Sequence, residues 1–464
     1  MTQTDISQEY LRNSTGLANE TSAAEARVLI VMTGGTICMK RSSDGFVPAR
    51  GFLKSGLAPR PSFNDGSDSR FLPVMVDDHT SILLPSLRTP SSAYKKHVRY
   101  VVLEFDELLD SSSINADGWT EIAQTIYRNY TFFDAFVVLH GTDSMAYSCS
   151  ALSFMLQNLG KPVILTGSQA PMLELQNDAT DNLLGSLIIA GHFMIPEVCL
   201  FFNYKLFRGN RVTKVSASDF AAFASPNFPP LADITSSKTN VHWELIHRPT
   251  HIKAFSIQTS RDIGHVACLR IFPGIRPEMV DAVLKVDGLK GLILETFGAG
   301  NAPKGSDGAL TKVFAQAIQR GIIIVNVTQC MTGTVSPLYE PAMKLKQAGV
   351  VPGHDLTTEA ALAKLSYLLA FPDLTVEDIT RQMSESLRGE LTEQTRTAFE
   401  HPKRHLSTSV AELTALGYAV AQGSLDCVKG NIESMLNEGD YFGNTPLVSA
   451  DAVSINSTEP RDQI

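Results

Sequence analysis

Four short segments of this 464-residue chain set hydroxyl, carboxylate and amine side chains behind apolar, strand-like runs. Thr33-Gly34-Gly35-Thr36 closes the run RVLIVM, and His140-Gly141-Thr142-Asp143-Ser144-Met145 follows FVVL. Asp110-Ser111-Ser112-Ser113 lies just beyond YVVLEF, and Arg211-Val212-Thr213-Lys214 follows VCLFFN and a turn at 208–210. A hydroxyl is a weak nucleophile until a neighbouring base path takes its proton. A lysine buried beside an aspartate and a threonine supplies one, because burial and hydrogen bonding tune its amine. Two strand-end threonines, a carboxylate and an amine brought to one cavity would form such a relay. Taken singly, each segment also has an ordinary structural explanation. TGGT makes a tight turn with a capping threonine, and Thr142 or Asp143 caps the helix through Tyr147 and Leu152. The DSS segment reads as the capped start of NADGWTEIAQTI, and a lone lysine as a solvated surface charge. His140 falls on the strand and not at its tip, which marks it as structural.

The elements that must position these residues follow an α/β pattern. RVLIVM, YVVLEF, FDAFVVLHG, KPVILTGS and VCLFFN are continuously apolar, as strands of a parallel sheet covered on both faces must be. Helical stretches such as SALSFMLQNLG and NLLGSLIIAGHFM lie between them, the first ending at a capping glycine, Gly160. The alternation predicts a two-domain α/β protein with a parallel, right-handed sheet. Residues 1–25 read as a disordered leader, 26–232 as the larger N-terminal domain and 233–252 as a Pro/Ser/Asn-rich linker. Residues 253–395 read as a smaller α/β domain built on HVACLRIFPG, GLILETFGAG and IIIVNVTQC. Within the first domain, residues 41–99 predict a mobile segment near 40–50 and an irregular excursion after it. The tail, 396–464, carries the TPL turn and the ML-x-x-G helical pattern of little more than one ankyrin repeat, too few to bury a core alone.

Composition narrows the function classes. A net charge of −9 without a long basic cluster disfavours nucleic-acid and anionic-membrane surfaces. Hydrophobic residues at 44% and charged ones at 19% are globular proportions. The six cysteines are scattered without C-x-x-C spacing, and no H-e-x-x-H pattern exists, so neither a metal nor another cofactor is expected. The polar N-terminus is not a signal peptide, and the apolar stretch LLGSLIIAGHFMIPEVCLFF is broken by His192, Pro196 and Glu197, which predicts a soluble cytoplasmic protein.

In their order, TGGTI, HGTDSM, TGSQAP, RVTK and the DSS segment resemble the type I, bacterial-type L-asparaginases over about residues 26–395. The resemblance is to the cytosolic branch that includes 60 kDa lysophospholipase/asparaginase proteins with ankyrin-like C-termini. It implies a two-domain fold with a larger flavodoxin-like N-terminal domain, and hydrolysis of the side-chain amide of L-asparagine. It assigns the nucleophile to Thr36 and the relay to Thr142, Asp143 and Lys214. Thr142 and Asp143 would also bind substrate, Asp143 through the α-ammonium. Asp110, Ser111 and Ser112 would hold the α-carboxylate. It further implies a homodimer or dimer of dimers with active sites where subunits meet.

Two positions depart from the family pattern. The loop tyrosine that orients the nucleophile is replaced by Phe46, and Tyr339 in SPLYEPA stands in the region of a substitute. The effector-site threonine and cysteine match Thr166 and Cys330, while the arginine position holds Glu295. Other readings fit less well. GAGNAP has Pro303 where a dinucleotide fingerprint needs its third glycine. A serine lipase elbow, G-x-S-x-G, is missing, which argues against lysophospholipase chemistry. A non-catalytic binding protein would not need all four relay residues.

Overall fold

Ten-residue β1 (Glu25–Gly34) carries apolar side chains on both faces, and that double burial organises the larger domain. Leu29 and Val31 enter one core while Val28, Ile30 and Met32 enter the other, the period-two alternation of a sheet covered on both sides. In this computed structural model the described residues are 25–43, 45–249, 253–259, 265–336 and 339–392. The leader, apart from Glu25, and the ankyrin-like tail lie outside them.

Beside β1 stand β2 (His97–Leu109), β3 (Ala135–Leu139), β4 (Val163–Thr166) and β5 (Val198–Phe202), all parallel, in the spatial order β5-β4-β3-β1-β2. This is the flavodoxin-like order, in which the chain reverses its direction of build between β1 and β3. Helix α1 (Ala116–Asn129) and helix α2 (Met145–Met155) fill one face, with Trp119, Ile122 and Ile126 beside Cys149 and Leu152. Helix α3 (Ala179–His192) covers the other with Leu183 and Leu187. Strand β6 (Lys205–Arg208) adds antiparallel to β5.

The expected linker, 233–252, begins as part of the larger domain's sheet and not as a free connection. Ala232–Ile234 and Thr239–Val241 extend the same sheet as two antiparallel strands, the second of them at its edge. Each is only three residues long and carries polar Asp233, Thr239 or Asn240, with TSSK in the turn between them, which hides both from a search for apolar runs. The segment near 40–50 forms an antiparallel hairpin, Met39–Ser42 with Gly45–Pro48, and a second hairpin joins Phe71–Met75 to Ser81–Pro85.

The smaller domain has four parallel strands in sequential order, β7 (Val266–Arg270), β8 (Gly291–Thr296), β9 (Ile323–Thr328) and β10 (Val351–Pro352). Helices α4 (Pro277–Leu284) and α5 (Ala309–Gln319) cover one face. After α6 (Glu340–Gln347), helices α7 (Thr358–Leu369) and α8 (Val376–Met383) cover the other. Both domains belong to one compact unit that ends at Thr392. Helix α2, buried on nearly every side, is the joint: it packs on α7, with Phe154 stacked 5.7 Å from Tyr367 and Gln157 donating to the Tyr367 hydroxyl at 2.8 Å. No helix among the described residues is long and apolar enough to cross a membrane.

From α8 the chain runs back to the larger domain as a strap, 384–392. A fully buried ion pair, Lys364 with Glu390 at 2.6 Å, fixes its shape. The Glu390 carboxylate also accepts the backbone N–H groups of Leu387 and Arg388. The strap's Gly389 carbonyl accepts from Arg211 at 2.7 Å, and Arg211 pairs with Asp355 at 2.7 Å.

Candidate active site

The tips of β1, β2 and β3 meet at one edge, where Met32 is level with Leu139 and Gly34 with Leu109. Glycine makes the approach close. A Cβ on Gly35 would stand 2.5 Å from the Gly141 nitrogen, and one on Gly141 would stand 2.3 Å from the Ser111 hydroxyl. With φ of 88°, Gly35 also adopts a backbone that other residues rarely accept. HGTD thus packs closely against TGGT at Gly35 and against DSS at Ser111. The Ser144 hydroxyl bonds the Ser111 carbonyl and ties two of the loops.

Lys214 arrives from outside this trio. The short strand Thr213–Lys214 pairs with Phe223–Ala224 and aims the amine inward. Its Nζ donates to Thr142 Oγ1 at 2.8 Å and to Asp143 Oδ1 at 2.8 Å. Lys214 is largely enclosed, with 18% of its side chain exposed, whereas Asp143 keeps 68% open to solvent at the mouth. The Thr142 hydroxyl, 6% exposed as a residue, accepts from Lys214 and donates to Gln169 Oε1 at 3.2 Å. Gln169 is held in turn by Asp178, whose two carboxylate oxygens each accept its backbone N–H at 3.0 Å.

The capping explanation fails for HGTD. The cap of α2 is Ser144, which makes no side-chain capping bond, so both polar side chains before it serve the lysine. Thr36 likewise does not cap; it is the first residue of a short 3-10 turn behind Gly35, half-buried, its carbonyl accepting the Met39 N–H while its hydroxyl bonds no described residue. For DSS the ordinary explanation holds in part, since Asp110 caps its turn by accepting from the Ser112 N–H at 3.0 Å.

His140 is structural, as its place on the strand implied. Its ring is buried, and burial lowers its affinity for a proton below the usual histidine value. The Ser148 hydroxyl receives the Trp119 N–H at 2.8 Å, so its own hydrogen turns to His140 Nε2 at 2.9 Å. Nδ1 then carries the ring hydrogen and donates to the Gly141 carbonyl at 2.7 Å. A trans peptide points its N–H opposite its carbonyl, so this bond turns the Thr142 N–H away from His140.

The other expected positions are separate. Phe46 lies on the hairpin beyond the nucleophile segment, exposed, with Arg41 5.6 Å from its ring. Tyr339 is exposed at the start of α6. Thr166 is fully buried and gives its hydroxyl to the Phe201 carbonyl at 2.8 Å, while Cys330 is exposed beyond β9; no hydrogen bond joins the two among the described residues. Glu295 accepts from Thr358 at 2.7 Å. Gln169 and Asp178 were not read as site residues; TGSQAP just beyond β4 was a signal for Gln169, whereas Asp178 lies outside that motif, at the start of α3.

The Asparaginase, N-terminal family profile matches residues 27–247, and the Glutaminase/Asparaginase C-terminal domain profile matches residues 265–383. L-asparaginase 1 of Escherichia coli (strain K12) is 42% identical over 374 residues, 79% of this chain and 98% of that protein. This chain belongs to the asparaginase family. It is accordingly an amidohydrolase by family and by the identity it shares across both domains. The 60 kDa lysophospholipase of Mus musculus is 40% identical over 443 residues, 91% of this chain and 76% of that protein. The crystal structure of L-asparaginase I from Vibrio cholerae superposes with a TM-score of 0.67 at 39% identity, covering 80% of this chain and all of that one.

Proposed function

We propose that this asparaginase-family enzyme hydrolyses the side-chain amide of L-asparagine to L-aspartate and ammonia, with Thr36 as nucleophile. The observation that carries the reading is the amine of Lys214 lying 2.8 Å from both the Thr142 hydroxyl and the Asp143 carboxylate. Thr36 Oγ adds to the amide carbon, and the carbonyl oxygen takes negative charge. Backbone N–H groups of the glycine-bounded tips, that of Thr142 among them, supply donors for that charge. The C–N bond then breaks and the nitrogen leaves as ammonia, taking up the proton that Thr36 gives up. Water cleaves the resulting ester, returning the Thr36 hydroxyl and releasing aspartate.

The relay moves the proton. Thr142 holds one lone pair toward Lys214 and its hydrogen toward Gln169, so its orientation is set before substrate arrives. Asp143 balances the lysine's charge and, being open at the mouth, also faces the substrate's α-ammonium. The α-carboxylate lies on the DSS turn, where Asp110 fixes the backbone and Ser111 and Ser112 offer hydroxyls. Tyr339 takes the orienting role of the tyrosine replaced by Phe46, and the sites are completed in a homo-oligomer in the cytoplasm. The test is ammonia release from L-asparagine by the purified protein and by Thr36→Ala. Release by the wild type alone is expected; equal release by both ends the nucleophile assignment.

A further inference from the structure

Thr213, the residue before the relay lysine, joins the lysine's strand to the smaller domain. Its hydroxyl donates to Glu359 Oε1 at 2.7 Å, in the first turn of α7. The neighbouring Thr358 donates to Glu295 of β8 at 2.7 Å, so that turn is itself anchored.

Alternation decides what the Thr213 bond controls. Successive side chains of a strand point to opposite faces, and directly paired residues of an antiparallel ribbon share one. Val212 and Phe223 enter the larger domain's core, and Lys214, paired with Phe223, takes their side. Thr213 therefore faces away from it, toward α7. A ribbon of two residues per strand has little hold of its own on its orientation. Seating the Thr213 side chain on Glu359 fixes the rotation of the strand about its axis. It thereby fixes the direction in which the Lys214 amine leaves the backbone.

Glu359 is a costly residue to place there. It is 8% exposed, and its surroundings offer hydroxyl and N–H donors but no cation. Burial pushes its carboxyl above the ordinary glutamate value, against the Thr213 hydroxyl, its own N–H and the Thr357 hydroxyl, and Glu295 adds a like charge. A buried carboxyl without a paired cation destabilises a fold, and an apolar side chain would pack at less cost. The hydroxyl it holds accounts for its presence.

We propose that Glu359 is a positioning residue: through Thr213 it aims the Lys214 amine at Thr142 and Asp143, so that the smaller domain holds the relay lysine of the larger one. The inference rests on the relay reading of Lys214 and adds no group that touches substrate.

The experiment measures kcat beside the acetylation of Lys214 by acetic anhydride, read residue by residue by mass spectrometry on the same full-length preparations. The double variant Thr213→Val with Glu359→Met replaces both partners by apolar groups of similar size, so neither is left buried and unpaired. It should keep the wild-type Tm. It should lose about tenfold in kcat, as small misplacements of a reacting group do. Lys214 should acetylate faster, its amine released from both acceptors. Thr213→Ser keeps the hydroxyl and should stay close to wild type in both measurements. Introduced into Lys214→Met, the double substitution should cost nothing further, because positioning acts only through the amine. Wild-type kcat or wild-type acetylation of Lys214 in the double variant would overturn the proposal. So would an equal fractional loss of kcat in the Lys214→Met background. A wild type that releases no ammonia from L-asparagine would remove the substrate assignment instead, and the acetylation of Lys214 would still decide where its amine points.

Discussion

Replacing Lys214 with methionine removes an amine while keeping most of the volume of an unbranched side chain. The structure separates what this does to catalysis from what it does to folding. Lys214 makes two hydrogen bonds, to Thr142 and Asp143, each 2.8 Å long, and the relay requires the one to Thr142 to strengthen as the proton moves. Bonds of this kind contribute about 1.5–3 kcal/mol each. With the Asp143 bond screened by water, the bond to the enclosed Thr142 sets the loss, about 10–10² in kcat. Folding should register far less, because the Asp143 carboxylate is 68% exposed and water replaces the ion pair there. Such a pair contributes about 0–1 kcal/mol, a Tm shift of no more than about 3 °C. Ammonia release measured by a coupled assay, beside thermal unfolding of the same preparation, reads both numbers. Arginine should not rescue, since it stays protonated and its flat fork does not fit two acceptors set for one nitrogen. A Lys214→Met enzyme within about threefold of wild-type kcat would refute the relay, as would activity lost only in proportion to unfolded protein.

Further tests address the neighbouring parts. Gly141→Ala places a methyl group 2.3 Å from the Ser111 hydroxyl and should raise KM by displacing the DSS turn; an unchanged KM would contradict the close approach. Burial raises the Asp355 carboxyl, but the Thr392 hydroxyl and N–H and the Arg211 guanidinium outweigh it and hold the group below its ordinary value. A carboxyl depressed in the folded state stabilises above its unfolded pKa and ceases to do so as pH falls through the folded one. Asp355→Asn should therefore lower Tm at pH 7, and the deficit should close as pH falls below the ordinary aspartate range; a deficit independent of pH would exclude the ion pair as its source. Tyr339→Phe should lower kcat with little change in Tm, and full kcat in that variant would remove Tyr339 from the mechanism.

How much of this was readable beforehand depended on what each residue touches. Thr36, Thr142, Asp143 and Lys214 stood out because each follows an apolar strand or a turn, and strand tips of an open α/β sheet share an edge. Gln169 obeys the same logic at the tip of β4, yet an amide has no acid–base signature and was passed over. Thr166 was matched by motif alone; one residue back from the tip, its hydroxyl is consumed by a neighbouring strand's carbonyl. The strands at 232–241 were lost because short strands of polar composition read like a linker. The strap could not be foreseen, since the pairing of Lys364 with Glu390 depends on a return of the chain that no local pattern encodes.

That return has a consequence for biosynthesis. Arg211 lies three positions before the relay lysine, yet its carboxylate partner is 144 residues downstream and its carbonyl partner 178. While the ribosome is still making the second half, the nascent first half holds an arginine that must either stay hydrated or be buried without a counter-charge, the latter costing about 3–5 kcal/mol. The catalytic segment therefore cannot mature in vectorial order with the sheet that bears it. A fragment stopping before Asp355 should emerge inactive, and supplying the missing C-terminal segment in trans should complete it.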